Sequence, residues 1–379
     1  MSLNLKMFNN MLIANAMNQG LPLSGAFELT SRCNFKCKMC YVACPANDRK
    51  AVSAEFSADK WIDMAKQARD AGLFYLILTG GEVFLRSDFQ KIYEALCEMG
   101  LNITIYTNAS LITAEKARWL GKIPPSKVSV TVYGASPKTY ERVTGYPDGY
   151  MRTMRALDYL KAENIDLEIK TTVVEGNCRE YEKIMKIAEG YSCGLGIVNY
   201  ISPRREGSGS DPMGNRLTPA EIVNYERCAK EYSGRVYSKE KGQEVKIDDD
   251  TMENKLNIPD EVIKKYEKSA FRCQSGKTGF WITWDGRMIP CGLLDTPVSR
   301  PFEMGFANAW EKLKNECMLV PKCSDCISCD IREECNACPG RLMTETGRFD
   351  KPASYLCETA RYRALLKEKE NEQLSKIAK

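Results

Sequence analysis

Cys33-Asn34-Phe35-Lys36-Cys37-Lys38-Met39-Cys40 places three thiols at C-x3-C-x2-C spacing. Three thiolates this close can wrap one side of a metal centre. Iron–sulfur clusters usually take four cysteines. Three thiolates and an open iron leave a coordination site for a small molecule. Zinc and unligated thiols are the competing readings. Structural zinc wants four ligands, and the chain, with 17 cysteines, has no histidine to complete a set. Cys44 lies four residues beyond Cys40 and could ligate; it is read as a free thiol. The absence of histidine also removes Ser-His-Asp and Cys-His nucleophiles, a His general base and a His-ligated haem.

Two further groups carry chemistry. In Thr79-Gly80-Gly81-Glu82 the glycines let backbone approach a ligand, and Glu82 can accept from an ammonium. An ordinary strand-end turn is the plainer reading. Near the C-terminus, Cys273 is followed by Gly286 and Cys291, then by Cys326-x2-Cys329-x5-Cys335-x2-Cys338, and finally by Cys357. A zinc ribbon is the alternative for such pairs. Cys97, Cys178, Cys193 and Cys228 fall on predicted helices or strand edges and read as buried structural thiols.

The elements that must position these groups alternate strand and helix from residue 25 to about 202. Strands are expected at 27–30, 73–78, 103–106, 128–132, 167–174 and 196–201. The run Leu73–Leu78, bounded by glycines, suits a parallel strand buried on both faces. Ser57, Asp88 and Thr113 open the intervening helices, with Ser57 and Asp88 as caps. Six β/α units in this length imply a parallel sheet with right-handed crossovers. A full eight-unit barrel takes about 250 residues, so a partial (β/α)6 barrel is expected, with its chemistry at the C-terminal strand ends. A doubly wound sheet is the alternative. The rhythm breaks over 203–272. From Cys273 to Cys357 it gives way to a region expected to be organised by metal rather than by an apolar core. The domains expected are therefore an N-terminal segment 1–24, the barrel 25–205, a bridging region 206–272, a cysteine-rich domain 273–360 and a helical tail 361–379.

The chain has 379 residues, enough for about two to three domains. Its formal charge of +4 is too small to argue for nucleic acid, and Arg204-Arg205, Lys239–Lys241 and Asp248–Asp250 read as solvated surface. No secretory signal and no run of membrane-spanning length is present. An odd number of cysteines without a signal peptide points to a reducing cytoplasm.

The C-x3-C-x2-C set at the end of the first strand resembles the signature of radical S-adenosylmethionine (SAM) enzymes. The resemblance implies a 4Fe–4S cluster on Cys33, Cys37 and Cys40, with SAM chelating the fourth iron. It also implies reductive cleavage to methionine and a 5′-deoxyadenosyl radical. Met39 replaces the aromatic residue common before the last cysteine. Gly80, Gly81 and Glu82 correspond to the GGE segment at the SAM amino group, and Thr107 and Asn108 to the segment near the ribose. Ala109 stands where glycine is common. Thr131 keeps the hydroxyl of the fourth-strand S-x-D-G segment, but Tyr133 replaces its acid. Lys170 and Arg142 are candidates for the cofactor carboxylate, with surface salt bridges as the alternative.

The C-terminal cysteines resemble the SPASM extension of peptide-modifying radical enzymes, with x2 in place of x3 before Cys338. The resemblance implies two auxiliary 4Fe–4S clusters, for three in all. Cys273, Cys291 and Cys338 go to the first. Cys326, Cys329, Cys335 and Cys357 go to the second. The fourth ligand of the first is Cys317, Cys323, or an open iron able to take a substrate thiolate.

The activity implied is maturation of a ribosomally made peptide, by thioether or carbon–carbon cross-linking or by epimerisation. Arg204 or Arg205 could meet an acidic peptide. The alternatives are an anaerobic sulfatase-maturating enzyme, disfavoured because Gly292 rather than an acid follows Cys291, and a small-molecule radical SAM dehydrogenase or carbon–carbon bond former. A non-enzymatic electron carrier would have no use for the GGE site. Flavodoxin or ferredoxin is the implied electron donor. Only 24 residues precede the barrel, so recognition of a peptide leader is expected from a separate protein or from residues 1–24 and 206–272. No catalytic base is identified.

Overall fold

The computed structural model describes residues 5–42, 44–203, 213–237 and 258–377. Arg204, Arg205, Lys239–Lys241, Asp248–Asp250 and residues 206–212 and 238–257 of the bridging region lie outside the described residues. The strands in chain order are β1 (Ser24–Glu28), β2 (Arg32–Cys33), β3 (Cys44–Pro45), β4 (Tyr75–Thr79), β5 (Asn102–Thr107), β6 (Lys127–Thr131), β7 (Leu167–Thr172), β8 (Leu195–Val198), β9 (Gly279–Ile282) and β10 (Met288–Ile289).

β1 and β4 to β8 lie side by side in sequence order, all parallel. These are the six β/α strands of the expected partial barrel. Their order never reverses, whereas a doubly wound sheet has a reversal point. Of the two expected caps Ser57 forms, and Thr113, expected to open its helix, caps it as well. The Ser57 side chain accepts from Lys60 N, and Thr113 from Lys116 N. Asp88 departs from expectation. It precedes the helix Phe89–Glu98 but makes no capping bond. Its carboxylate instead takes Arg86 through Nε and Nη2, at 2.9 and 2.8 Å. Arg86 is buried and needs a counter-charge, which outweighs one cap bond.

The strands have two unlike faces. Phe27, Leu76, Leu78, Ile103, Ile105, Val128, Val130 and Ile169 are buried in one core with helix residues such as Trp61, Ile92 and Leu157. By register, Ala26, Ile77, Thr104, Tyr106, Ser129, Thr131, Glu168 and Lys170 share the other face. This face is the inside of the barrel. The run at 73–78 is therefore not buried on both sides: Tyr75 and Ile77 are partly exposed toward the interior.

The C-terminal third differs from expectation. β9 pairs in parallel with β1, and β10 closes a hairpin against β9, so the sheet has eight strands. The helix Phe306–Met318 buries Phe306, Ala309, Trp310, Leu313 and Cys317 in the same core. Short strands among cysteines and turns give little periodic signal, and their apolar partners lie about 250 residues away in sequence. The N-terminal segment forms a helix, Leu5–Gln19, and the Trp310 indole donates to Gly20 O at 2.8 Å. The tail helix runs Ser354–Ile377 and packs on Pro219–Tyr237, where Arg363 pairs with Glu226 at 2.7 Å. Among the described residues, no helix is long and apolar enough to cross a membrane.

Candidate functional site

The loop leaving β1 carries the first thiol set across the C-terminal ends of the strands. Arg32 starts it, held by Glu55 through Nε at 2.7 Å and Nη2 at 3.0 Å. Glu55 also accepts from Thr30 Oγ1 and lies 3.6 Å from Arg86 Nη1. This network of buried and half-buried charges fixes the start of the loop.

Cys37 is buried, and Cys33 and Cys40 are half-buried. Burial pushes the Cys33 thiol up to about 12, helped by the nearby charges of Glu82 and Cys40. Burial also pushes Cys37 up, followed by the charges of Cys40 and Cys33, while the Tyr133 hydroxyl hydrogen-bonds to it and opposes the shift. The three thiols therefore face one desolvated space. Among the described residues, no three Cys, Asp or Glu side chains converge on a single ion. Three thiols with no histidine in the chain fit a cluster, in which each thiolate takes its own iron, better than one zinc. Tyr133 also meets Phe35 and Tyr140 edge-on, with centroids 6.1 and 5.8 Å away. The residue that replaces the family's acid thus lines the thiol pocket.

Gly80 and Gly81 let backbone approach closely, but the partner is the chain itself. A Cβ at Gly80 would stand 2.5 Å from Thr30 O, and one at Gly81 2.2 Å from Arg32 O. Gly81 N donates to Thr30 O and Glu82 N to Arg32 O, at 2.7 and 2.8 Å. Glu82 is fully buried. Its Oε1 accepts from Thr107 Oγ1 (2.7 Å) and Phe84 N (3.1 Å), and its Oε2 from Asn108 N (2.8 Å). Burial raises its pKa despite these donors. The carboxylate expected to meet an ammonium thus already ties β4 to the end of β5.

Asn108 extends this tie. Its Nδ2 points to Cys33 Sγ at 3.7 Å and donates to Asn34 Oδ1 at 3.0 Å; its Oδ1 accepts from Ser110 N and Oγ. Asn34 and Ser110 were not singled out in the sequence. Asn34 stands at an unspecified position of the C-x3-C-x2-C spacing, and nothing in the pattern marks it. Ala109 has φ +61°.

Thr131 and Lys170 are register partners on the interior face. Lys170 Nζ donates to Tyr106 OH at 2.8 Å and pairs with Glu168 at 3.2 Å. Farther along this face, the Trp281 indole donates to the buried Glu28 carboxylate at 3.0 Å. Sequence reading missed Glu28, Tyr106, Glu168 and Trp281, because their significance comes only from strand register. Arg142 is not brought to the thiols. It is exposed and donates to Thr139 Oγ1 at 3.3 Å and to Gly176 O, bracing the loop after β7.

The C-terminal thiols fall into two sets. The sulfurs of Cys291 and Cys338 come within 3.6 and 3.7 Å of one point, where a Cβ on Gly340 would stand. The charge of Cys273 helps raise Cys338, after burial. In the other set, Cys326 is pushed up to about 12 by burial, with contributions from Cys323, Cys335 and Cys357. Cys329 adds to the rise at Cys335 and Cys357.

Residues 27–188 match the Radical SAM superfamily. Over these residues the chain carries a radical SAM domain, the domain of a superfamily of enzymes that bind SAM and a 4Fe–4S cluster. Among its relatives is the AdoMet-dependent heme synthase of Methanosarcina barkeri, 26% identical over 87% of this chain and 95% of that protein. The PqqA peptide cyclase of Rhizobium meliloti is 25% identical over 74% of this chain and 70% of that protein. The crystal structure of Streptococcus suis SuiB bound to S-adenosylmethionine shares the fold, with TM-score 0.67 and 19% identity over 89% of this chain and 77% of that one.

Proposed function

We propose that the chain modifies a ribosomally made peptide by radical chemistry, in a reaction whose surplus electron leaves through C-terminal clusters. The observation that carries this reading is the presence of two further thiol sets, one of which adjoins the hairpin built onto the barrel sheet. Cys33, Cys37 and Cys40 would hold the radical SAM cluster. When bound there, cluster and SAM together supply a 5′-deoxyadenosyl radical that takes hydrogen from substrate. Two auxiliary clusters would be held by Cys273, Cys291 and Cys338, and by Cys326, Cys329, Cys335 and Cys357. The barrel 25–205 and the SPASM domain 273–360 belong to this proposal. Gly80, Gly81, Glu82, Thr107 and Asn108 would border the SAM site, with Thr131 and Lys170 on the interior wall. The interior polar groups, Glu28, Tyr106, Glu168 and Lys170, orient a polar substrate and carry its protons.

The peptide assignment is supported by relatives named for peptide maturation, among them the PqqA peptide cyclase and a sporulation killing factor maturation protein of Bacillus subtilis. SuiB was also crystallised with its precursor peptide SuiA. A flavodoxin or ferredoxin would supply the electron, a separate protein would present the leader, and the setting would be cytoplasmic. A second reading, synthesis of haem from a precursor, is favoured by the match to nearly the full length of the heme synthase.

The test is anaerobic reconstitution. Wild type should cleave SAM to 5′-deoxyadenosine, and the Cys33/Cys37/Cys40 triple Ala variant should not. Continued cleavage by the triple variant would overturn the core assignment. A mass change in a peptide encoded beside the gene supports the leading reading; turnover of a haem precursor instead supports the second.

A further inference from the structure

The sequence leaves the fourth ligand of the first C-terminal cluster open among Cys317, Cys323 and a free iron. The structure separates the two thiols. Cys317 ends the buried face of Phe306–Met318 and is 2% exposed. Its sulfur lies 2.5 Å from where a Cβ on Gly276 would stand, and Gly276 has φ +68°, so glycine suits that place twice over. Gly276 is three residues beyond Cys273, whose sulfur bonds Ser275 Oγ at 3.2 Å. Cys317 therefore abuts the turn that carries Cys273. Cys273 and Cys291 are both partly buried and pack against the core cluster that contains Cys317. Cys323 belongs elsewhere: it is buried with Leu342, Ala353 and Leu356, and Cys326 of the second set packs against that cluster.

We infer that Cys317 is the fourth protein ligand of the first C-terminal cluster, joining Cys273, Cys291 and Cys338. The inference rests on the proposed C-terminal clusters. It deepens that proposal, because a cluster with four protein thiolates has no iron free for a substrate thiol. That cluster then passes electrons and does not hold substrate. Cys323 is a fifth thiol beside a complete set.

The test uses the full chain, reconstituted anaerobically, with Cys317→Ala, Cys317→Ser, Cys323→Ala and Cys291→Ala. Iron and sulfide content and the EPR and Mössbauer spectra are read. Cys317→Ala and Cys317→Ser should change the spectrum of the same cluster as Cys291→Ala and lose up to about four irons per chain. Cys323→Ala should match wild type. A wild-type spectrum for both Cys317 variants, with a changed one for Cys291→Ala, overturns the assignment of Cys317 alone. If Cys291→Ala is also unchanged, the first C-terminal cluster and the inference fall together. Wild type gives a readout independent of variant folding. With SAM saturating, added cysteine should leave the EPR spectrum unchanged, and a shift would reveal an open auxiliary iron.

Discussion

The side-chain amide of Asn108 stands 3.7 Å from the sulfur of Cys33, where the end of β5 meets the thiol loop. The same side chain holds Asn34 and Ser110. Asn108→Ala should therefore cost roughly 1–3 kcal/mol, read by urea unfolding, because buried partners are left unpaired. In the reconstituted protein it should also lower the reduction potential of the cluster at Cys33, since donors to sulfur favour the reduced state. An unchanged potential in an EPR-monitored titration would show that Asn108 has no influence on that sulfur.

Glu55 answers two guanidiniums, and their side chains are 11% (Arg32) and 3% (Arg86) exposed. Glu55→Gln should cost about 3 kcal/mol, because breaking a buried pair leaves charge uncompensated. The loop bearing Cys33 starts at Arg32, so iron incorporation should fall as well. Wild-type unfolding and iron content in this variant would count against the network.

Ala109 holds a left-handed conformation, φ +61°, while fully buried. Glycine relieves that strain but gives up a buried methyl, so Ala109→Gly should stay within about 1 kcal/mol of wild type. Ala109→Val adds bulk and a β-branch in the same conformation and should cost roughly 2–3 kcal/mol. Thermal unfolding of the two variants checks the order; equal melting temperatures would contradict it.

Burial holds the Glu82 carboxyl above its ordinary value of 4.5. A raised folded pKa means that the folded state binds the proton more tightly than the unfolded chain. The stabilisation from this group is complete below 4.5 and is lost as pH rises through the raised value. Wild type should therefore lose its advantage over Glu82→Gln as pH rises above 4.5, measured by urea unfolding at several pH values. A growing advantage would mean that the three donors outweigh burial.

The strands and the thiol motif were legible because both are local. Alternation of apolar runs with amphipathic helices located β1 and β4 to β8 within a few residues, and three thiols in eight residues declare themselves. What stayed hidden depends on distant pairing. β9 has too few residues to show a period, and its partner β1 lies about 250 residues earlier in the chain. Glu28 looks like an ordinary strand residue until Trp281 is placed beside it. Glu82 and Arg142 show the opposite difficulty. Their residue types suit a ligand, and the protein partners they also hold are seen only in coordinates. Cys317 was one of two equivalent candidates until the Gly276 turn was seen against it.

The pairing of β9 with β1 sets an order on synthesis. β1 emerges first among the barrel strands, yet one of its edges is completed only by residues 279–282. A nascent chain that has built the other barrel strands still displays β1 as an open edge, a template for foreign strands. Closure then requires a contact of very long sequence separation, the kind that slows folding and prolongs exposure. The hairpin that brings Cys291 to its partners is thus also the piece that seals the sheet. A chain cut before residue 279 should emerge as an aggregating fragment rather than as a smaller version of the barrel.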